Sequence, residues 1–315
     1  MPVTRVGDYE LWARIGTGST GAVWKAYRGR PAPRIVALKR LRGAAGGRDG
    51  RARLEREAAV LAELDHPHII RVVEVVQDGE GVAIVMELAT GGSLDAVLAG
   101  RGRLAPGEMV AVAVPIADAL SSAHRRGIVH GDVKPANILF AADGRPLLAD
   151  FDVARVLGQR SGGQLAGTAE YLAPELLDGA PPGPRSDVYA LGVVCFEALS
   201  GYAPYAAAVD ECSAPVPDLG PLADTVGRAM ARDPHRRFAS ADAFARALRD
   251  AVPPDTVGLP RRPAPAACSA PIRRTETFGP RPPRLEARPA RWRLRAVVAA
   301  GCVAVAALLW AVSVL

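Results

Sequence analysis

Residues 130–139 read His-Gly-Asp-Val-Lys-Pro-Ala-Asn-Ile-Leu, and an Asp-Phe pair follows at 150–151, thirteen positions after Asn137. The first stretch contains an acid that can accept a hydroxyl proton (Asp132) and a lysine that can hold a phosphate (Lys134). The Asn amide oxygen and the second Asp carboxylate are ligands that Mg²⁺ prefers. Because phosphoryl transfer depends mainly on positioning and charge neutralisation, this set of side chains is typical of a phosphoryl-transfer site.

A glycine-rich loop, Ile15-Gly-Thr-Gly-Ser-Thr-Gly-Ala-Val23, lies near the N-terminus. Glycine lets the backbone approach phosphate oxygens closely. The spacing alone is a weak signal, because dinucleotide-binding folds use a similar one. A dinucleotide fold would continue directly into a helix, whereas Ala22–Tyr27 has the pattern of a strand. The loop therefore favours a nucleotide site between two strands.

Val36-Ala-Leu-Lys39 is an apolar strand that ends in a lysine. A lysine in such a strand is costly to bury without a partner. We expect Glu57, on a helix predicted over 51–64, to be that partner, with Glu55 and Glu63 as rivals on the same helix. The alternatives are an exposed strand-edge lysine and a solvated glutamate.

Met86-Glu-Leu-Ala89 ends the predicted sheet, and the backbone groups of Glu87 and Ala89 are expected to face adenine. Four apolar residues would enclose the adenine ring: Ile15, Val23, Ala37 and Leu139. An ordinary core role for these four fits the sequence equally well.

The chain divides into a sheet-rich part and a helical part. Short apolar runs predict strands over 9–15, 22–27, 35–41, 72–76 and 82–87. Helical periodicity predicts helices over 93–99, 106–126, 186–200, 219–231 and 240–250. We therefore expect a small sheet lobe over 1–89, with one main helix, and a larger helical lobe over 90–252.

The C-terminal part has a different composition. Residues 253–295 are rich in Pro and Arg and predict a linker that cannot pack a core. Residues 296–315 carry no charge and, at about 1.5 Å per residue, would span a bilayer as a helix. Five arginines directly precede this run (284, 288, 291, 293 and 295), which places the N-terminal side in the cytoplasm. The alternative is a buried or amphipathic helix.

The net charge of +6 does not indicate a nucleic-acid-binding protein. Ten arginines and two glutamates lie between 261 and 295, so this segment carries the whole positive excess and the rest is near neutral. The four cysteines have neither metal-ligand nor redox spacing, and the N-terminus lacks an apolar secretory signal.

Taken together, the motifs resemble those of the eukaryotic-type protein kinase family, in particular the membrane-anchored serine/threonine kinases of bacteria. The resemblance runs from about Tyr9 to Asp250 and implies an α+β fold of two lobes. Seven motifs occur in order: the glycine loop, Lys39, Glu57, His130-Gly-Asp132, Asp150-Phe151, Ala173-Pro-Glu175, and Asp187 with Arg237.

The resemblance assigns roles to individual residues. Asp132 and Lys134 would be catalytic, and Asn137 and Asp150 would bind Mg²⁺, for which Mn²⁺ can substitute. ATP would contact Ile15, Gly16, Thr17, Gly18, Ser19, Thr20, Gly21, Ala22, Val23, Ala37, Lys39, Glu57, Met86, Glu87, Ala89 and Leu139. The other implied partners are proteins with Ser or Thr hydroxyls and the membrane, while the oligomeric state is not implied.

The resemblance also implies structural contacts. His130 and Phe151 would stack with Leu61, so His130 would be structural. Glu175 and Arg237 would form a buried ion pair, and Asp187 would brace the catalytic loop. Lys134 and the segment 167–171, which includes Thr168, match the serine/threonine pattern.

Three departures from the family pattern stand out. Gly131 replaces the arginine that would meet a phosphate on the activation segment, and Ser161 is the one hydroxyl residue within 153–167. Asp152 replaces the glycine of Asp-Phe-Gly, which could perturb metal binding or catalysis. The region 202–221 is short and Pro-rich where the family has a substrate-docking helix.

These departures leave two alternatives to an active protein kinase. One is a membrane-tethered pseudokinase that acts as a scaffold, which Gly131 and Asp152 motivate. The other is a nucleotide-dependent enzyme for small molecules, which Ala173-Pro-Glu175 disfavours. The retained acids favour the enzyme, because phosphoryl transfer needs them and folding does not.

Overall fold

The computed structural model describes residues 4–18, 21–29, 33–41, 60–78, 81–151, 169–204 and 218–252, all within one compact unit. An antiparallel sheet of six strands comes first, in the order β1-β2-β3-β4-β6-β5. Its strands are β1 (Arg5–Val6), β2 (Tyr9–Gly18), β3 (Gly21–Arg28), β4 (Arg34–Leu41), β5 (Val72–Asp78) and β6 (Gly81–Glu87). All five predicted strands are confirmed, and the short β1 was not predicted.

The helical part begins at Leu94 and contains one small hairpin. Its helices are α1 (Leu94–Arg101), α2 (Pro106–His124), α3 (Pro174–Leu177), α4 (Pro184–Ser200), α5 (Ala223–Ala229) and α6 (Ala241–Ala251). The hairpin consists of β7 (Ile138–Phe140) and β8 (Pro146–Leu148), neither of which the sequence predicted. Both strands have three residues, too few for a periodic signal.

Local side-chain bonds explain where two of the helices begin. The Ser93 hydroxyl accepts a bond of 3.2 Å from the Ala96 N–H at the start of α1, and Ser240 caps α6 in the same way. α1 ends at Arg101, because Gly102 follows with a φ of 79° that breaks the helical backbone. Such caps satisfy backbone groups that a helix end leaves without partners.

The predicted helix over 219–231 is wrong in its extent. A 3₁₀ turn occupies Gly220–Leu222, and the α-helix begins at Ala223 and ends at Ala229. Gly220 has a φ of 58°, and Pro221 has no N–H to donate, so the α-helical ladder cannot run through this pair. The apolar residues keep a helical spacing across this break, so the sequence pattern did not reveal it.

Two larger apolar cores and a small cluster that includes Leu176 hold the unit together. One lies against the outer face of the sheet and includes Leu11, Val36 and Leu38. The larger one lies among the helices, where α2 and α4 are buried on most of their surface. The helix predicted over 51–64 is described only from Val60, and residues 60–62 are helical.

Candidate active site

The inner face of the sheet carries the residues predicted to hold the nucleotide. Strand pairing places Val23 opposite Lys39 and Ala37 opposite Met86, so these four side chains lie on one face. Their neighbours in β4 point to the opposite face and join the outer core, because side chains alternate along a strand. One face of β3, β4 and β6 is thus left for a ligand.

The four residues predicted to enclose adenine differ in burial. Ile15 is 51% exposed, Val23 and Leu139 are half-buried, and Ala37 is buried. Ile15 therefore completes no core, whereas Ala37 is buried as a core residue would be. That these four residues enclose adenine stays a prediction.

Lys39 is buried, with 5% of its surface exposed, on a strand that has neighbours on both sides. It is therefore not a strand-edge lysine. Its ammonium group forms an ion pair with the carboxylate of Asp150, which supplies the counter-charge that a buried cation needs. The predicted partner Glu57 lies outside the described residues, as does its rival Glu55.

The glycine-rich loop joins two antiparallel strands, as predicted. β2 and β3 pair up to Gly18 and Gly21, and no helix follows the loop, since Gly21–Arg28 is a strand. This topology excludes the strand–loop–helix unit of a dinucleotide-binding fold. Ser19 and Thr20, at the tip of the loop, lie outside the described residues.

The hinge, residues 87–92, joins the sheet to the helical part of the unit. The Glu87 N–H donates to the Arg71 carbonyl at 3.0 Å, and the Glu87 carboxylate accepts from the Arg71 N–H at 3.0 Å. Ala89 lies two positions after this anchored residue, and its contact with adenine stays a prediction.

The catalytic loop brings Asp132, Lys134 and Asn137 together. Lys134 Nζ lies 2.7 Å from Asp132 Oδ2. Asn137 Nδ2 donates to the Asp132 carbonyl at 2.7 Å and to Asp132 Oδ2 at 3.1 Å. With its amide nitrogen engaged in this way, Asn137 keeps its side-chain oxygen for a metal ion.

The carboxylate of Asp187 binds the backbone of this loop. Its two carboxylate oxygens accept from the His130 N–H at 2.9 Å and from the Gly131 N–H at 2.8 Å. Gly131 has a φ of 73°, a conformation that costs other residues about 1–2 kcal/mol. A glycine here therefore lets both amides point at Asp187 without backbone strain.

His124 is a third partner of Asp187, which the sequence did not reveal. Its Nε2 lies 2.8 Å from Asp187 Oδ2, and both side chains are buried. Burial by itself would raise the pKa of Asp187. The hydrogen bond and charge of His124, the charge of His130 and the Gly131 bond outweigh burial and hold this pKa below its usual value. His124 lies on α2, where its spacing resembles that of the core residues around it.

The β7–β8 hairpin brings the two predicted metal ligands to one end. Asn137 directly precedes β7, Asp150 follows β8, and the Ala149 N–H donates to the Asn137 carbonyl at 2.9 Å. Asp150 is the one non-glycine residue of positive φ (66°) among the described residues. Strained backbone of this kind is typical of functional sites.

The donor set fits Mg²⁺. Asn137 and Asp150 offer an amide oxygen and a carboxylate, which are hard oxygen ligands. Among the described residues, no group of three His, Cys, Asp or Glu side chains forms a complete metal cage. Mg²⁺ is usually held by one or two carboxylates together with phosphates and water, so an incomplete protein site suits it.

His130 has a structural environment. It is fully buried, its ring lies 4.6 Å from that of Phe151, and its Nε2 lies 3.0 Å from the Ala149 carbonyl. Leu61 and Phe151 belong to the same core. The predicted contact of His130 with Phe151 is confirmed, but the ring planes are inclined by 57° and are not stacked.

The predicted ion pair between Glu175 and Arg237 is also confirmed. The guanidinium binds both carboxylate oxygens, at 2.8 and 2.7 Å, and it also donates to the carbonyls of Ala231, Arg185 and Arg232. The sequence did not predict the bond of 2.7 Å from the Tyr171 hydroxyl to Glu197.

Several sequence-based expectations concern residues that the structure does not describe. These are Asp152, Ser161, Thr168, the linker over 253–295 and the apolar run over 296–315. Within the described ranges, no helix is both long and apolar enough to cross a bilayer.

A comparison with known protein families agrees with this fold and site. Residues 9–215 match the sequence family described as the protein kinase domain. The chain belongs to the protein kinase family. Its matched part contains the glycine loop, the ligand face of the sheet, the catalytic loop and the β7–β8 hairpin.

Similar curated proteins are serine/threonine-protein kinases of Streptomyces and Mycobacterium species. The chain is 36% identical to PkaB of Streptomyces coelicolor over 261 residues, which cover 76% of this chain and 62% of PkaB. It is 37% identical to PknL of Mycobacterium tuberculosis over 75% of this chain and 63% of PknL. It is 37% identical to PknK of the same species over 83% of this chain but 25% of PknK. The chain spans less than two thirds of the length of each of these relatives.

Proposed function

We propose that this protein is a protein serine/threonine kinase that transfers the γ-phosphoryl group of ATP to Ser and Thr hydroxyls of proteins. The observation that carries the proposal is the cluster of Asp132, Lys134 and Asn137, which Asp187 holds in place. Phosphoryl transfer requires these three side chains, whereas binding by a scaffold does not. The names of the similar serine/threonine kinases support the same function.

The residues of the cluster have distinct tasks in the reaction. Asp132 orients the substrate hydroxyl and accepts its proton as the hydroxyl oxygen bonds to the γ-phosphorus. The bond from that phosphorus to the β-phosphate oxygen breaks, and ADP leaves. Lys134, next to Asp132, neutralises charge on the transferred group. Asn137 and Asp150 would hold Mg²⁺, which neutralises phosphate charge when it is bound.

The nucleotide would lie against the inner face of the sheet. Ile15, Val23, Ala37 and Leu139 would cover the adenine ring, and the Ala89 N–H would donate to it. Lys39 would exchange part of its contact with Asp150 for the α- and β-phosphates. The glycine loop over 16–21 would cover the phosphates with its backbone N–H groups.

The kinase would not depend on phosphorylation of its activation segment. Gly131 stands where the arginine that meets such a phosphate is usual, and this glycine relieves backbone strain at a φ of 73°. The segment over 153–167 offers Ser161 as its one hydroxyl. Both features support activity without that switch, in a bacterial signalling role.

The kinase would be tethered to the cell membrane by one span over 296–315, with its domain in the cytoplasm. The uncharged length of this run and the arginines before it support the tether. The linker over 253–295 would lie along anionic headgroups.

One assay separates the kinase from the pseudokinase scaffold that Asp152 motivates. The purified chain is incubated with labelled ATP, Mg²⁺ and a generic protein substrate, beside an Asp132→Asn variant. We expect wild type to label the substrate and the variant to lose at least about 100-fold in rate while still binding ATP. Equally poor transfer by both would support the scaffold.

A further inference from the structure

Gly91 lies where the hinge touches the β7–β8 hairpin. A Cβ atom built on Gly91 would lie 2.7 Å from Phe140 Cβ, 2.7 Å from the Ala141 carbonyl oxygen and 2.8 Å from the Phe140 carbonyl oxygen. Two of these atoms are backbone and the third is attached to it, so none can swing away. Any side chain at position 91 must push the hinge and the hairpin apart.

Two hydrogen bonds close this contact. The Gly91 N–H donates to the Phe140 carbonyl at 2.8 Å, and the Phe140 N–H donates to the Gly92 carbonyl at 2.8 Å. Ser93 and Leu139 form a β-bridge beside them. The hinge therefore continues the edge of the hairpin as a short strand pair, which we call the hinge clamp (Gly91–Ser93 with Leu139–Phe140).

The hinge clamp joins the two sides of the predicted adenine site. Ala89, whose backbone groups are expected to face adenine, lies two residues before Gly91 on the hinge side. Leu139, one of the four residues predicted to enclose the adenine ring, lies on the hairpin side. The distance between hinge and hairpin therefore sets the space that is left for adenine between Ala89 and Leu139, which we call the adenine slot.

We propose that Gly91 is a positioning residue for ATP, because the absence of a side chain there lets the hinge clamp close the adenine slot. The inference rests on the proposed kinase function. Asp132 is held independently, through the Asp187 bonds to its loop. Opening the hinge clamp should therefore affect ATP binding and leave the reacting groups in place.

The test compares Gly91→Ala with Gly100→Ala, a matched control in α1 whose added methyl group meets no atom within 4 Å. We expect Gly91→Ala to raise the KM for ATP roughly tenfold, because a wider slot weakens binding of the bound nucleotide before and during the reaction alike. The KM for the protein substrate and kcat should stay within about twofold of wild type. The control should match wild type in all three values.

Several outcomes would overturn the proposal. An unchanged KM for ATP, or a loss confined to kcat, would show that the hinge clamp does not set the adenine slot. An inactive wild type would instead refute the kinase function, so the two failures are distinct.

A measurement on the wild-type chain covers the case in which Gly91→Ala does not fold. Amide hydrogen exchange, resolved to single residues, should show slow exchange at Gly91 and Phe140 before nucleotide is added. Ala89 should exchange fast and become protected when a non-hydrolysable ATP analogue is added. Exchange at Gly91 and Phe140 as fast as at Ala89 would contradict a closed hinge clamp.

Discussion

Asp187 is the residue on which the geometry of the catalytic loop depends. Its carboxylate is fully buried and accepts bonds from His124 and from two consecutive loop amides. A buried carboxylate with this many donors stabilises the fold and also fixes the direction of Asp132. Its loss should therefore affect stability and catalysis together.

We expect Asp187→Asn to lower the free energy of unfolding by about 3 kcal/mol, because the new NH₂ group faces an N–H donor in a buried site. Activity should fall at least about 100-fold as the loop shifts. Urea unfolding and initial rates measure the two effects. Asp224→Asn, at an exposed position on α5, is the control and should stay within about 0.5 kcal/mol of wild type.

Asp187 should also make stability depend on pH. Its folded pKa lies below the usual value, so its contribution is complete above the unfolded pKa, about 3.9, and is lost as pH falls through the lower folded pKa. Urea unfolding of wild type from pH 7 to about 2.5 should show this loss at the acid end. If Asp187→Asn loses as much stability as wild type over that range, Asp187 is not the source.

The activation segment allows a second test at the residue scale. We expect Ser161→Ala to keep most kinase activity, because Gly131 offers no guanidinium to a phosphate at this position. Initial rates of both proteins, each treated with a phosphatase and then freed of it, measure the effect. A loss as large as that of Asp132→Asn would show that phosphorylation of Ser161 is required.

At the scale of elements, Arg237 joins three segments that the sequence separates widely. Its guanidinium binds Glu175 on α3, the Arg185 carbonyl at the start of α4 and two carbonyls before the 3₁₀ turn over 234–236. Only 2% of Arg237 is exposed. Five donors in a fixed plane make this junction, which a lysine cannot reproduce.

We therefore expect Arg237→Lys to lower the free energy of unfolding by about 3 kcal/mol, because several buried acceptors lose their donors. Arg246→Lys provides the matched control, since Arg246 pairs with Asp242 on the exposed surface of α6. The control should change stability by less than about 0.5 kcal/mol. Equal effects of the two substitutions, measured by urea unfolding, would contradict the role given to the Arg237 junction.

At the scale of the whole molecule, the proposed membrane tether differs from the kinase domain in its amino-acid composition. We expect deletion of 296–315 to move the protein from the membrane to the soluble fraction, because no other uncharged run of bilayer length occurs in the sequence. Fractionation in low and in high salt measures this change. Retention in low salt only would be due to the arginine-rich linker, since salt screens such contacts. Persistent pelleting of the truncated chain in high salt would refute single-span anchoring.

The sequence by itself determined which residues could carry the chemistry and which strands form the ligand face. Asp132, Lys134 and Asn137 lie within six positions, and the alternation along β4 separates Ala37 and Lys39 from the outer core. Such information is local, because backbone sterics and strand periodicity act over a few residues. The loop between β2 and β3 was predictable for the same reason.

Only the tertiary structure decided how distant residues meet. It placed His124 against Asp187, paired Lys39 with Asp150, and brought Gly91 within 2.8 Å of backbone that lies about fifty positions later. These contacts depend on how the helical core and the sheet pack as a whole, and no local pattern encodes them. The packing of distant segments, rather than any single motif, brings these reactive side chains into a site of fixed geometry.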